Sequence, residues 1–355
     1  MSSKVLLVSH VYSTSSGPVY GPIDVVENYL VEKKIKHQVI KYPLTSILPL
    51  PIKSFSETLT TLFKTILYKV DIFIGIDPLN AFAGVILRKI GFLKKTVFYC
   101  VDYTPTRFEN KLINSIYLWI DRFAATNSDE VWNVSSRIVD LRKAQGISFS
   151  KIKLVPNSPS FGKCPRQNAG KIDRNKIVMV SGLTHSRSLD LVLSVFKKVH
   201  SKFPRVKLTI IGTGGYQNKL KARINSLGID KSVLLVGQLS NAKLLMEVSK
   251  SILALSIYSY SKEYSWVYYG DSKKTREYLA CGTPVIITDA VATSIDIKKY
   301  NAGVVIKLNE KELLNAIEKF LMDRKFWINT RKNAIVLAKE FDINPILDRT
   351  LLPLV

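Results

Sequence analysis

A chain of 355 residues exceeds the size at which one hydrophobic core stops growing, so we expect two domains, and its 46% hydrophobic content suffices for two cores. No segment reaches the roughly 18 apolar residues of a membrane span, and three scattered cysteines with four histidines indicate neither a zinc cage nor a disulfide framework. Basic residues exceed acidic ones by 52 to 28, and this net charge of +24 predicts attraction to polyanions or acidic membrane surfaces.

The first half of the chain alternates buried-strand patterns with helix-length segments. Its first apolar run, at 5–8, is shorter than the core of a signal peptide, which needs at least about 7 residues, so we interpret it as a strand and the protein as cytoplasmic. Continuous Val, Ile and Leu character predicts a parallel sheet covered on both faces. The predicted strands lie at 5–9, 38–42, 71–76, 96–101, 130–134 and 152–155, and the predicted helices at 24–34, 79–90, 111–125 and 136–144.

Residues 156–176 have the Pro, Gly, Ser and Asn content of a linker, and the strand–helix pattern restarts beyond them. This predicts two doubly wound domains, 1–160 and 171–340, with a cleft between the carboxyl ends of their sheets. We expect the last helical segment to return to the first domain, with residues 341–355 packed on it. The predicted strands lie at 177–181, 207–211, 233–236, 252–257 and 284–288, and the predicted helices at 189–201, before 227, and at 241–250, 273–281, 311–322 and 324–340.

Residues 270–288 are the richest in chemistry. Asp271 and Ser272 predict a turn and a helix N-cap, and the free N–H groups of a capped helix start beside lysines favour phosphate. Lys274 and Glu277 are three residues apart and therefore share a helical face. One can contact phosphate while the other accepts hydroxyl hydrogens from a ribose or sugar. An ordinary capped helix with a surface ion pair is the alternative interpretation.

Three more strand ends carry small-residue loops, which the carboxyl ends of one parallel sheet would bring to the same edge. In the first of them, Arg187 suits a diphosphate oxygen. In the second, Gln217 stands where the third glycine of a dinucleotide fingerprint would fall, so a dehydrogenase is not supported. The third loop could contact the nucleotide base through its backbone atoms. The residues singled out in these loops are Gly182 and Arg187, then Gly212 and Gly214, then Leu239.

Together these motifs resemble the donor domain of the GT-B glycosyltransferases, specifically the retaining family 4 (glycosyl transferases group 1). The most specific match is the run KTREYLACGTPV at 274–285, and the resemblance extends over nearly the whole chain. It implies an α/β fold of two Rossmann-like domains facing across a cleft. It also implies transfer of a sugar from a UDP- or GDP-sugar to a hydroxyl acceptor, with retention and without an essential metal or other cofactor. Positive charges and a helix dipole would stabilise the departing nucleoside diphosphate.

The resemblance also assigns roles to residues. Glu277 matches the glutamate that contacts the donor ribose, and we place it in both the catalytic and the donor-binding set. Lys274 matches a lysine of one branch of the family. The family commonly has two glutamates eight positions apart, but Tyr269 occupies the place of the first, and Asp271 is the nearest carboxylate that could substitute. The predicted donor-binding residues are Gly17, Gly182, Arg187, Gly212, Gly214, Leu239, Asp271, Lys274, Thr275 and Glu277, with His185 a titratable neighbour of Arg187.

The first half of the chain should recognise the acceptor. Gly17 lies where the family places a glycine-rich loop beside the donor phosphates, although a flexible surface loop is an alternative. Asp102 follows a predicted strand and falls near the position where the family commonly has a histidine. We therefore place Asp102 in the catalytic set, where it would orient an acceptor hydroxyl or the sugar. Capping the next segment is its other interpretation. His10 ends the first strand, and we interpret it as structural.

Two other functions stay open at this point. One is a GT-B sugar-nucleotide epimerase, which needs acid–base groups in its cleft, whereas the chain is poor in histidine. The other is a noncatalytic basic protein that binds polyanions or acidic membranes. Because the basic residues are dispersed in pairs, specific nucleic-acid binding is not favoured, and a lysine-rich solvated surface explains the charge equally well. The expected acceptor is a glycan, a lipid-linked glycan or a glycolipid, with peripheral contact at the inner face of a membrane.

Overall fold

The computed structural model describes residues 4–11, 13–14, 17–18, 21–43, 50–184, 187–260 and 265–355. The chain divides into two compact units. The first consists of Met1–Asn157 together with Ile343–Val355, and the second of Ser158–Asp342. Within the described residues, no helix combines the length and the apolarity that crossing a membrane requires.

The first part of the chain alternates strands and helices, as its apolar pattern predicts. Its strands are β1 (Val5–Val11), β2 (Ser13–Thr14), β3 (Gly17–Pro18), β4 (His37–Pro43), β5 (Ile72–Ile76), β6 (Lys95–Cys100), β7 (Glu130–Asn133) and β8 (Ile152–Leu154). Its helices are α1 (Pro22–Glu32), α2 (Leu50–Tyr68), α3 (Pro78–Lys89), α4 (Lys111–Asn127) and α5 (Ser136–Ala144).

The second part repeats this alternation. Its strands are β9 (Asp173–Val180), β10 (Lys207–Ile211), β11 (Val233–Gly237), β12 (Ser251–Ser256), β13 (Val285–Thr288) and β14 (Gly303–Ile306). Its helices are α6 (Leu189–Lys202), α7 (Gln217–Leu227), α8 (Asn241–Ser249), α9 (Ser265–Tyr269), α10 (Lys273–Ala280), α11 (Thr293–Tyr300), α12 (Glu310–Met322), α13 (Arg324–Glu340) and α14 (Ile343–Thr350).

The sheet of the first unit has six parallel strands in the order β4-β1-β5-β6-β7-β8. Parallel crossovers are right-handed, so the helices that connect strands from β4 to β8 lie on one face and α1 lies on the other. Contacts of α2 with α3 and of α3 with α4 agree with this placement. On the other face α14 packs on α1, where the Tyr29 hydroxyl donates to Asp348 Oδ1 at 2.7 Å.

The second unit has its own six-stranded parallel sheet, in the order β11-β10-β9-β12-β13-β14. Its central strands are buried on both faces, and apolar clusters fill the space between the sheet and each helix layer. Two parallel α/β sheets, each covered by helices, confirm the predicted doubly wound fold class.

The structure contains several elements that the sequence did not predict. Helices α2, α9 and α11 and strand β14 were not predicted, and β9 begins at Asp173, inside the predicted linker. The first residues of β9 are polar and mostly accessible, so they carry no apolar signal. Helix α13 lies wholly in the second unit, and the chain passes to the first unit only at Ile343.

Candidate functional site

A pocket of about 170 Å³ lies at the carboxyl edge of the second sheet, beside the start of α10. The carboxyl edge of an open parallel sheet is where such folds bind ligands. The pocket is lined by Arg187, Tyr258, Trp266, Val267, Gly270, Asp271, Ser272, Lys273, Lys274 and Val291. It therefore combines three cationic side chains, two aromatic rings and the N-terminus of a helix.

The start of α10 is fixed by a hydroxyl network. Ser272 is the N-cap predicted from the sequence, and its Oγ accepts from the Thr275 N–H at 3.3 Å. The same oxygen lies 2.6 Å from the Tyr258 hydroxyl, and the Thr275 hydroxyl lies 2.6 Å from that of Ser256, the last residue of β12. The helix start is thus tied to the end of a central strand. Its first turn presents the partial positive charge of unsatisfied N–H groups to the pocket.

Arg187 supplies a half-buried cation that forms no salt bridge within the described part of the chain. Its guanidinium carbon lies 4.3 Å from the centroid of the Tyr258 ring, a cation–π arrangement that holds the side chain against the pocket wall. Its Nε is buried and has no hydrogen-bond partner among the described residues. A buried charged donor without an acceptor is costly, and an anionic ligand at this position would relieve that cost.

Lys274 is the second cation of the pocket. Burial, together with the charges of Arg187 and Lys273, lowers the pKa of Lys274 from 10.5 to about 8, against the opposing effect of Glu277. Each of these positive charges therefore raises the energy of the others when no anion is present. An anion with two or more negative charges would stabilise all three.

Replacing Lys274 with Met tests this electrostatic arrangement. Because the pKa of Lys274 is lower in the folded chain than in the unfolded chain, its charge destabilises the fold below about pH 8. That penalty disappears as the pH rises towards 10.5. The variant should be more stable than the wild-type chain at pH 7 by about 1–2 kcal/mol, and equally stable near pH 10.5. Denaturant unfolding at both pH values measures this, with the exposed Lys243→Met as control, and a destabilised variant at pH 7 would contradict it.

Glu277 lies deeper than its predicted role suggests. Its side chain is 6% exposed, and its Oε1 lies 3.2 Å from Lys273 Nζ, four residues earlier on α10. The sequence analysis placed Glu277 and Lys274 on one face of the helix. The observed ion pair instead joins Glu277 to Lys273. The carboxylate is not part of the pocket wall, although Lys273 is. Its contact with a ribose stays a prediction.

Two predicted donor-binding residues have side chains that are engaged elsewhere, so the geometry does not support a side-chain contact with the donor for either of them. The Asp271 carboxylate is fully buried and accepts from Arg276 at 2.9 Å and from Thr293 at 2.8 Å, so it does not substitute for a ligand-binding glutamate. The Thr275 side chain is also fully buried in the hydroxyl network below the pocket. Both residues position α10, and neither side chain is available to a ligand.

Arg276 completes this support. Its guanidinium contacts Asp271 and also Asp296 on α11, at 2.6 Å, and lies 4.4 Å from the ring centroid of Phe341. Through these ion pairs Arg276 connects the turn before α10 to α11.

The predicted glycines lie at the ends of neighbouring strands, but they differ in what they do. Gly212 has φ +137, and a Cβ there would collide with the Ser181 carbonyl oxygen. A Cβ on Gly214 would collide with Leu183 in the same way, so both glycines allow two strand-end loops to pack together. Gly182 has open space around its Cβ position. Leu239 is half-buried and packs on the apolar cluster that contains Tyr258.

Several residues of the pocket wall were missed by the sequence prediction, among them Tyr258, Trp266 and Lys273. Tyr258 follows the carboxyl end of β12, a position that could have identified it. Trp266 lies on α9, which has no recognisable sequence signal because it is five residues long. Tyr269, which stands in the place of the family's first glutamate, ends that helix and contacts Tyr268 edge-on at 5.0 Å.

The residues predicted in the first half lie in the first unit. Asp102 follows β6 and is 47% exposed, and its Oδ2 lies 2.9 Å from Arg107 Nη1. Gly17 lies in β3, which pairs antiparallel with β2. His185 lies outside the described residues.

His10 forms a charged cluster that the sequence did not indicate. Its Nδ1 lies 2.6 Å from Asp77 Oδ2, and its Nε2 lies 3.0 Å from Glu57 Oε2. Burial disfavours the imidazolium, but the hydrogen bonds and charges of Asp77 and then Glu57 outweigh it and raise the pKa of His10 to about 9. His10 is therefore a protonated side chain that links β1, α2 and the start of α3, in agreement with a structural role. Among the residues described, no group of three or more His, Cys, Asp or Glu side chains is arranged to hold a metal ion.

Comparison with solved structures identifies the class. HepE of Anabaena, in complex with UDP, superposes with a TM-score of 0.74 at 15% identity, over 99% of this chain and 100% of that one. Sucrose-phosphate synthase of Thermosynechococcus elongatus gives a TM-score of 0.73 at 15% identity, over 99% and 100% of the two chains. The chain has the GT-B glycosyltransferase fold.

Sequence comparison identifies the family. The model of the glycosyl transferases group 1 matches residues 163–340, which contain the whole pocket. The chain belongs to this family. An uncharacterized glycosyltransferase of Methanocaldococcus jannaschii is 26% identical over 238 residues, and the match covers 56% of this chain and 56% of that relative. The chain thus spans little more than half the length of this curated relative.

Proposed function

We propose that this protein transfers a sugar from a nucleoside-diphosphate sugar to a hydroxyl acceptor. The observation that carries the proposal is the pocket in which Arg187, Lys274 and the first turn of α10 converge, with no salt bridge from either side chain to a carboxylate among the described residues. A diphosphate would provide acceptors for the buried Arg187 Nε and neutralise the repulsion between the cations. The matched family and the GT-B fold support the same reaction class.

In this mechanism the pocket acts on the leaving group. The bond between the anomeric carbon and the diphosphate oxygen breaks, and its electron pair departs with the nucleoside diphosphate. Arg187, Lys274 and the dipole of α10 stabilise the negative charge that develops there, so no metal ion is needed for that task. The acceptor hydroxyl oxygen then forms the new bond on the same face of the sugar, with retention of configuration, and its proton passes to the departing diphosphate oxygen.

The remaining roles are part of the same proposal. The second unit binds the donor, with Gly182 allowing close backbone approach and Leu239 lying near the base. The first unit binds a glycan, a lipid-linked glycan or a glycolipid, and Asp102 orients its hydroxyl. We also propose that the backbone at Gly17 contacts the donor phosphates. We propose a cytoplasmic location with peripheral contact at the inner face of a membrane, consistent with the net charge of +24.

A panel of UDP- and GDP-sugars tests the reaction. Because a structural neighbour was solved with UDP-glucose, this donor is the first to examine. We expect one donor to raise the melting temperature and to release nucleoside diphosphate when an acceptor is present. An epimerised donor in the absence of acceptor would instead identify an epimerase. A folded chain that responds to no donor would contradict the proposal.

Glu277→Gln tests the proposed ribose contact separately from the diphosphate contacts. The substitution keeps the side-chain volume and removes the acceptor charge, so UDP should bind roughly 10- to 100-fold more weakly. Pyrophosphate has no ribose, and it should bind at least as tightly as before because the pocket becomes more positive. Calorimetric titration of both ligands measures the difference, with Glu318→Gln, which removes the partner of Lys202, as control. Equal loss for UDP and pyrophosphate, or no loss for either, would remove Glu277 from the ribose site.

A further inference from the structure

The helix layer formed by α2, α3 and α4 in the first unit has an apolar outer surface. These helices lie side by side on one face of the sheet, and large apolar side chains point away from it into solvent. Leu112 is 70% exposed, Phe63 69% and Trp119 59%. We refer to the following residues as the apolar face: Leu59, Phe63, Ile66 and Leu67 of α2, Ile90 and Phe92 after α3, and Leu112, Ile113, Ile116 and Trp119 of α4.

The spacing along α4 shows that this surface is an organised stripe. Leu112, Ile116 and Trp119 stand at positions i, i+4 and i+7, which lie on one side of a helix. They are exposed, while Tyr117 and Asp121 on the opposite side are buried against the sheet. A helix on the surface of a globular protein normally places polar residues on its outer side. The stripe on α4 is therefore not explained by the packing of the first unit.

Helix α2 repeats the arrangement. Leu59, Phe63 and Ile66 stand at the same spacing and are exposed, whereas Thr61 and Thr65 are buried. Since α3 contacts both α2 and α4, the two stripes lie on the outer surface of one helix layer. Contiguous exposed apolar surface of this kind marks an interaction site.

The aromatic part of the apolar face is held in place before any partner binds. The Trp119 ring stacks on Phe123 with centroids 5.4 Å apart, and Phe82 of α3 contacts Phe123 at 5.3 Å. Lys89 Nζ lies 5.1 Å from the centroid of the Phe123 ring. A fixed tryptophan beside a lysine is suited to the boundary between lipid headgroups and acyl chains.

The charges around the apolar face favour an anionic partner. Five basic side chains on these helices and their ends form no salt bridge to a carboxylate within the described part of the chain: Lys64, Lys69, Lys89, Lys111 and Arg122. Two carboxylates of the same region are already engaged, since Asp71 pairs with Lys94 and Asp121 pairs with Arg142. An apolar stripe bordered by uncompensated lysines matches a bilayer that contains acidic lipids.

We propose that the apolar face is a docking surface for an acidic lipid bilayer. Phe63, Leu112 and Trp119 enter the boundary between headgroups and acyl chains, and the surrounding lysines contact the lipid phosphates. This inference rests on the proposed function. The proposed function includes contact with a membrane but assigns no surface to it. The inference assigns that membrane contact to α2 and α4. Donor binding takes place in the other unit and can be measured independently.

Co-sedimentation of the full chain with vesicles tests the assignment. We expect binding to vesicles of phosphatidylglycerol and phosphatidylcholine, weaker binding to phosphatidylcholine alone, and a loss of binding as salt is added. The triple variant Phe63→Ser, Leu112→Ser, Trp119→Ser should bind acidic vesicles at least about 10-fold more weakly. A matched triple variant at exposed apolar positions of the second unit, Leu234→Ser, Met322→Ser, Val336→Ser, should bind like the wild-type chain.

The outcomes separate this inference from the proposed function. Lost vesicle binding with unchanged UDP affinity in the first triple variant would support the docking surface. Equal vesicle binding by all three proteins, or none by the wild-type chain, would overturn it. Sedimentation velocity adds a control: a wild-type dimer that the first triple variant converts to a monomer, with no vesicle binding, would show that a second copy covers the face. Failure of the wild-type chain to bind UDP would contradict the proposed function alone.

Discussion

Arg187→Met is expected to weaken UDP binding by about 30- to 100-fold and to leave the fold intact. One hydrogen bond to a charged group contributes roughly 1.5–3 kcal/mol, so the loss of a single bond from Arg187 to the diphosphate accounts for this change. The Arg187 Nε has no partner among the described residues when no ligand is bound, so the folded chain loses no internal hydrogen bond at that atom. Methionine keeps an extended apolar chain against the Tyr258 ring.

Calorimetric titration with UDP measures the effect, and thermal unfolding checks the fold. Arg223→Met is a suitable control, since Arg223 is an exposed arginine of the same unit that contacts Ser194 at 3.3 Å. The control should bind UDP like the wild-type chain. An unchanged affinity in Arg187→Met would show that the diphosphate does not reach this side chain.

Arg276→Met is expected to produce the largest loss of stability, about 3–5 kcal/mol. The substitution leaves the carboxylates of Asp271 and Asp296 close together without their common cation. Removing one partner of a buried ion pair is far more damaging than removing an exposed one, because the remaining charge stays desolvated. Because Asp271 precedes the Ser272 cap, we also expect weaker UDP binding in whatever fraction remains folded.

Denaturant unfolding provides the measurement, and Lys202→Met is the matched control. Lys202 pairs with Glu318 at 2.9 Å on the surface of the same unit and is 53% exposed. Exposed pairs contribute about 0–1 kcal/mol, so this control should be nearly neutral. A loss in Arg276→Met no greater than in Lys202→Met would show that the network does not support the turn before α10.

The sequence predicts well whatever depends on local pattern. Apolar runs locate the buried strands because a strand covered on both faces needs continuous Val, Ile and Leu. Strand β10 and helix α13 have the predicted bounds. The Ser272 cap was also predictable, because a serine before a helical run satisfies the first-turn N–H groups whatever the tertiary context.

Tertiary pairing limits what the sequence predicts about side chains. Whether Asp271 faces a ligand or the core depends on Arg276, five residues later, and on Asp296 of another helix. The pairing of Glu277 with Lys273 instead of Lys274 depends on which side of α10 faces Arg187. The His10 cluster combines residues from three separate elements, so no motif spacing indicates it.

The central claim is that the cationic pocket at the start of α10 binds the diphosphate of a nucleotide sugar. A crystal structure of the protein with UDP tests it most directly. We expect the diphosphate oxygens within hydrogen-bonding distance of the Arg187 guanidinium and the Lys274 amine, and the ribose hydroxyls near Glu277. A nucleotide bound elsewhere, with Arg187 and Lys274 contacting no phosphate, would contradict the account.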